Sequence, residues 1–248
     1  MSAEVLLSVR GKAAVVTINR PRVRNALSGE TLRRLYEALD EAFGDPEVRV
    51  VVLTGAGSAF CAGDDLREAA GLDEDAFATT VASWQRITEL LLGSPVPVIA
   101  AINGPAIGGG LEITLACDLR VASSEAFFVC PEVSLGLTAT NGASVLLPAL
   151  IGLGRATEML ISGRRYDADW ALSAGLVSEI VAPDALESHV MELAGLIASH
   201  SQAAVRLTRD LLRPSAVREA LEQEANACVT AFRSSESARW PITSNRTR

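Results

Sequence analysis

Three short stretches carry residues whose types and spacing suggest chemistry. The first is Ile102-Asn103-Gly104-Pro105-Ala106-Ile107-Gly108-Gly109-Gly110-Leu111-Glu112. A β-branched apolar run, Val96 to Ile102, leads into it, and Asn103-Gly104-Pro105 turns the chain. An apolar run at helical spacing leads out. Glycines at a helix start expose unpaired N–H groups at its partly positive end. That arrangement suits a phosphate, a developing oxyanion, or simply a close helix–strand contact. Glu112 falls in the first helical turn, where it either stands beside an anion site or complements the helix dipole.

The second stretch, Gly55-Ala56-Gly57-Ser58-Ala59-Phe60-Cys61-Ala62-Gly63-Asp64-Asp65-Leu66, also follows a buried-type strand, Val48 to Thr54. If the two loops face each other, the N–H groups of Cys61 and Gly109 bind one oxygen together. Two such donors stabilise an enolate or a tetrahedral oxyanion, and losing one typically costs about 10²–10³ in rate. The third stretch, Cys130-Pro131-Glu132, breaks a strand pattern and leaves an acid after it. An enolate needs an acid or base at the adjacent carbon, a part a carboxylate can take. Other chemistries fit less well. Cys61 has no neighbouring histidine to activate it, and Asp64-Asp65 lacks the partner set of a metal site. His189, His200, Trp84 and Trp170 read as surface or packing residues.

Alternating elements must position these loops. Val5 to Val9 and Ala13 to Ile18 read as a hairpin, Ser28 caps a helix over Thr31 to Phe43, and Glu74 to Leu92 has helical periodicity. Asp118 to Ala122, Ala126 to Val129 and Leu176 to Val181 read as strands. Helical patterns fill Leu146 to Leu150, Ala156 to Ile161, Ala168 to Ala174 and most of the chain beyond Pro183. Strand–helix alternation followed by a helical C-terminus predicts an α/β core with an added helical layer and no linker.

Composition narrows the partners. The chain has 248 residues, 49% of them hydrophobic, enough for one large core. Thirty acids against 22 bases give a net charge of −8, and Lys12 is the only lysine, so no basic stripe for nucleic acid is present. No apolar run reaches the roughly 20 residues that span a bilayer. Four scattered cysteines and an N-terminus without signal-peptide character predict a cytoplasmic protein with free thiols.

Taken together, the motifs resemble the crotonase, or enoyl-CoA hydratase/isomerase, superfamily. Ala59 to Leu66 and Asn103 to Glu112 resemble its two oxyanion-hole segments. Arg20-Pro21 with Asn25-Ala26-Leu27, Ala116-Cys117-Asp118, Pro131-Glu132 and Ala174-Gly175-Leu176-Val177 match in the same order, over residues 5 to 235. The resemblance implies one α/β domain over residues 1–248, a crotonase-like spiral of ββα units with a core at 5–182. Residues 183–248 would form a helical C-terminal trimerisation region, giving a homotrimer or a dimer of trimers. It implies an acyl-CoA thioester as substrate and no further cofactor or metal, coenzyme A being part of the substrate.

Carried over by position, Cys61 and Gly109 donate to the thioester oxygen, and Cys61, Ala62, Gly63, Asp64 and Gly109 line the acyl-CoA. Arg22, Arg24 and Arg67 lie near its phosphates and adenine. Glu112 orients and deprotonates a water while Glu132 delivers a proton to the α-carbon, with at least one carboxyl pushed up by burial. The activity implied is hydration of a 2-enoyl-CoA; the alternative is a Δ3,Δ2-enoyl-CoA isomerase using Glu132 alone, or another acyl-CoA reaction of the superfamily. One loop departs from the pattern. Ala139 and Thr140 stand where hydratases usually carry Pro and Gly, which would narrow the water pocket or substitute a hydroxyl for a backbone donor.

Overall fold

The chain opens with an antiparallel hairpin, β1 (Val5–Arg10) and β2 (Ala13–Ile18). Helix α1 (Gly29–Gly44) follows. Ser28 caps it by accepting the Thr31 N–H at 3.2 Å, and Leu32, Leu35, Leu39 and Ala42 form its buried stripe. Next come β3 (Val50–Gly55), the short α2 (Leu66–Ala69) and α3 (Glu74–Gly93), then β4 (Val98–Ile102), β5 (Ala106–Ile107) and α4 (Gly109–Leu115). The core closes with β6 (Leu119–Ser123), β7 (Phe127–Val129), α5 (Ala143–Ile151), α6 (Leu153–Ser162), β8 (Tyr166–Asp167), α7 (Ala168–Ala174) and β9 (Glu179–Val181). Three helices finish it: α8 (Leu186–Ser199), α9 (Gln202–Leu212) and α10 (Val217–Arg233). This is a computed structural model, and it describes residues 3–212 and 216–234.

The strands form a large sheet, ordered β1-β2-β3-β4-β6-β9 and parallel beyond the hairpin, and a small sheet, β5-β7-β8. Successive turns of the chain step from the large sheet to the small one, β4 to β5 and β6 to β7. After β3, Cys61 makes the same step by bridging Ala106. The chain is thus a spiral of β-β-α turns with helices added at its end. Both faces of the large sheet are covered, which is why β3 and β4 are apolar without alternation. Val50, Val52, Ile99 and Ala101 pack with Leu186, Val190 and Ala194 of α8. The intervening residues, such as Val51, Leu53, Ala100 and Ile102, belong to the main core with Leu35, Leu39, Ile87 and Leu91 of α1 and α3.

Two boundaries differ from the sequence pattern. The last strand begins at Glu179, because the N–H groups of Leu176 and Val177 donate to the Ala171 carbonyl at 2.8 and 3.3 Å and close α7. Glu132 is no strand-end acid: Pro131 ends the pairing of β7, and Glu132–Leu135 winds into a 3-10 turn. Of the helical C-terminal region, residues 213–215 and 235–248 lie outside the described residues.

Candidate active site

The two glycine-bearing loops lie against each other. A methyl on Gly110 would stand 2.3 Å from the Cys61 carbonyl oxygen, so only glycine permits this approach. Two asparagines pin the first loop. Asn25 donates to the carbonyls of Ala56 and Ala59 at 2.9 and 2.7 Å, and Asn103 donates to those of Gly57 and Ala59 at 2.9 and 3.1 Å.

These bonds decide which N–H groups remain available. Phe60 and Cys61 both donate to the Pro105 carbonyl at 3.1 Å, Ala62 donates to the Arg24 carbonyl at 3.0 Å, and Asp65 donates to the Leu27 carbonyl at 3.0 Å. Gly63 contacts the Cys61 Sγ at 3.4 Å. The Cys61 N–H, expected from the sequence to hold the substrate oxygen, is therefore spent inside the fold. Asp64 carries the one N–H from Phe60 to Asp65 without an acceptor among the described residues. Its neighbour Gly63 lies beside the second donor: a methyl there would be 3.6 Å from the Gly109 nitrogen. Gly109 likewise has no acceptor for its N–H among the described residues. Burial pushes the Cys61 thiol up to about 12, so it is an inert packing group.

Glu112 and Glu132 face one cleft but differ in support. Glu112 is 1% exposed. Its Oε1 accepts the Thr140 N–H at 2.8 Å, and its Oε2 accepts the Thr140 hydroxyl at 3.1 Å and the Asn141 amide at 2.6 Å. The loop in which Ala139 and Thr140 stand for Pro and Gly thus keeps its backbone donor and adds two side-chain donors. Glu132 Oε2, in contrast, is buried with no partner among the described residues, and so is Asn141 Oδ1. Burial, and then the charge of Glu132, pushes Glu112 well above the ordinary carboxylate range, while its donors pull it back. Burial pushes Glu132 up to about 7. The three donors favour the charge on Glu112, and Glu132 Oε2 has no such donor among the described residues.

A cavity of about 40 Å³ separates the acids, lined by Asp64, Trp84, Gly109, Glu112, Glu132 and Thr140. Phe77 and Val81 of α3 and Cys228 of α10 add an apolar wall. Trp84 is more than a packing residue. Its ring lies over Gly109, where a methyl would meet it at 2.8 Å, and its Nε1 donates to Asp64 Oδ1 at 2.6 Å. Burial raises the Asp64 carboxyl to about 6, against the lowering effect of that bond. Arg22, Arg24 and Arg67 are exposed around the donor loop, and none of their side chains has a partner among the described residues. Within the described residues no group of acids, histidines and cysteines could hold a metal ion, and no helix is long and apolar enough to cross a membrane.

The profile of the enoyl-CoA hydratase/isomerase family matches residues 9–239. The chain belongs to this family. It is 41% identical to a short-chain-enoyl-CoA hydratase of Clostridium acetobutylicum over 212 residues, covering 84% of this chain and 80% of the relative. It is 39% identical to a crotonyl-CoA hydratase of Syntrophomonas wolfei over 206 residues, covering 83% and 79% of the two. The crystal structure of an enoyl-CoA hydratase from Bacillus anthracis superposes with a TM-score of 0.82 at 36% identity, covering 93% of this chain and 92% of that one.

For this family member, sequence reasoning missed Asn141, Trp84 and Glu224. The Asn141-Gly142 pair carries a turn signal that could have marked the first. Trp84 and Glu224 carry no such signal, because their partners lie 20 and 82 residues away.

Proposed function

We propose that the chain is an enoyl-CoA hydratase that adds water across the double bond of a 2-enoyl-CoA. One observation carries this reading: two buried carboxyls face one cleft, one held by three donors and the other with a free oxygen. The same cleft is lined by Thr138 and by Asn141, whose Oδ1 is buried with no partner among the described residues. A water needs two to four polar partners and roughly 10–15 Å³ or more of room, and this cleft offers both.

In this reading each group has one part. The thioester oxygen accepts the N–H groups of Asp64 and Gly109. Ionised Glu112 takes a proton from the water as its oxygen attacks the β-carbon. Electron density moves onto the thioester oxygen, where the two donors stabilise the enolate. Protonated Glu132 then gives its proton to the α-carbon. The proton that Glu112 gained must pass to Glu132 before the next turnover. Ala62, Gly63 and Asp64 border the thioester, and Arg22, Arg24 and Arg67 supply cations for the phosphates and adenine of coenzyme A.

Assembly as a homotrimer, or a dimer of trimers, is part of the reading. Leu207, Leu211 and Leu212 on α9 are 57%, 87% and 77% exposed, and beside them lies an apolar cavity of about 720 Å³. The four buried free thiols support a cytoplasmic location. The test is a panel of acyl-CoA thioesters with product mass analysis. Addition of 18 mass units to crotonyl-CoA is expected; faster isomerisation of a 3-enoyl-CoA without mass change would overturn hydration as the main activity.

A further inference from the structure

Asn141 has an unusual backbone for what it does. Its φ of 60° is left-handed, and it is 1% exposed. A side chain other than glycine rarely adopts that conformation, and asparagine is among the few that tolerate it. The turn aims the Asn141 amide at Glu112 Oε2, 2.6 Å away. A second carboxylate holds the turn from outside. Glu224 of α10 accepts the N–H of Gly142 at 2.7 Å and that of Ser144 at 2.8 Å, capping the N-terminus of α5 directly after Asn141. Gln85 of α3 in turn donates to the Leu221 carbonyl of α10 at 2.7 Å, fixing α10 over the cleft. Contacts therefore run unbroken from the C-terminal helix to the carboxylate.

Resting on the hydratase reading, we propose that Asn141 and Glu224 are positioning residues for the base: Glu224 holds the left-handed turn, and the Asn141 amide keeps the negative charge on Glu112. The surroundings of Glu112 make such a device necessary. It faces Glu132 from the 3-10 turn and Glu224 from α10, Asp64 of the first loop lines the same cleft, and the thiols of Cys130 and Cys228 lie nearby. None of these is a cation. Stabilisation of charge on Glu112 therefore falls to hydrogen-bond donors, and the Asn141 amide makes the shortest of the three bonds. Without it, Glu112 is protonated more readily and the base is weakened.

The test is the pH profile of crotonyl-CoA hydration by the full-length Asn141→Gly variant, which keeps the left-handed turn and removes only the amide. A hydrogen bond to a charged group is worth roughly 10- to 100-fold, so kcat is expected to fall by that factor with KM little changed. Losing a donor raises the Glu112 pKa. The acidic limb of the profile should therefore move to higher pH by about one unit or more. Glu224→Gln keeps one acceptor oxygen for the turn but removes a charge that raises the Glu112 pKa, so the two effects oppose, and a smaller fall in kcat with little shift of the limb is expected. If Asn141→Gly loses its circular dichroism, Asn141→Asp is read in its place; a carboxylate there should shift the limb further upward. A wild-type pH profile in the variant that folds overturns the proposal. Glu112→Gln separates the two levels: if it hydrates normally, the hydratase reading fails. If it is inactive while Asn141→Gly behaves as wild type, only the positioning role fails.

Discussion

Replacing Glu112 by Gln separates catalysis from folding. The substitution turns Oε2 from an acceptor into an NH₂ group with two donors. Asn141 can meet it by rotating its amide, because its Oδ1 has no other partner. The Thr140 hydroxyl can accept the second N–H, and the Thr140 N–H keeps its bond to the remaining oxygen at Oε1, 2.8 Å away. The fold stands at a cost of about 1–3 kcal/mol, because the rotated Asn141 amide places its NH₂ where Oδ1 lies buried with no partner among the described residues. The buried charge, however, is gone. Because the Glu112 pKa is raised on folding, ionising it above that pKa destabilises the native state, and Gln removes the penalty. Each kcal/mol recovered raises Tm by about 2–4 °C at this chain length. Activity moves the opposite way: a general base contributes about 10²–10⁴, and Gln cannot accept the proton. The assay follows loss of the conjugated thioester absorbance of crotonyl-CoA, beside a thermal melt at pH 8. Hydration within about tenfold of wild type would refute the role of Glu112 as base.

Three further outcomes are expected. Glu132→Gln should melt higher than wild type at pH 8 and nearly equal to it at pH 5: a carboxyl raised to about 7 loses stability as pH climbs from its unfolded value through 7. The gap at pH 8 is about 3 kcal/mol by chemical denaturation. Gly110→Ala places a methyl 2.3 Å from the Cys61 carbonyl oxygen, so the loops must part; a loss of about 1–3 kcal/mol in stability and a drop in kcat are expected, read by melts and steady-state kinetics. Replacing Arg22, Arg24 and Arg67 together by Ala should raise KM for crotonyl-CoA with kcat nearly constant. The effect should fade with crotonyl-pantetheine, which lacks the phosphates and adenine, and in high salt.

Local pattern was enough to reveal much of this protein. Alternating apolar runs and the Ser28 cap mark the elements, since strands and helices follow from the spacing of neighbouring residues. The glycines before Glu112 and the small-residue loop at Cys61 mark the site, because close backbone approach leaves a chemical trace in short stretches, and the resemblance to the family added Glu132. What those stretches do not encode is how bonds are shared between them. Cys61 and Asp64 are equally plausible donors until the Pro105 carbonyl is seen to take the Cys61 N–H. Thr140 reads as an obstruction until its N–H and hydroxyl are found on Glu112. Trp84, Asn141 and Glu224 matter through partners on other elements, and the split of charge between Glu112 and Glu132 depends on burial and donors that only the packed chain brings together. The sequence by itself determined which groups could act; the tertiary structure decided which N–H groups stay unspent and which carboxyl is held as the base.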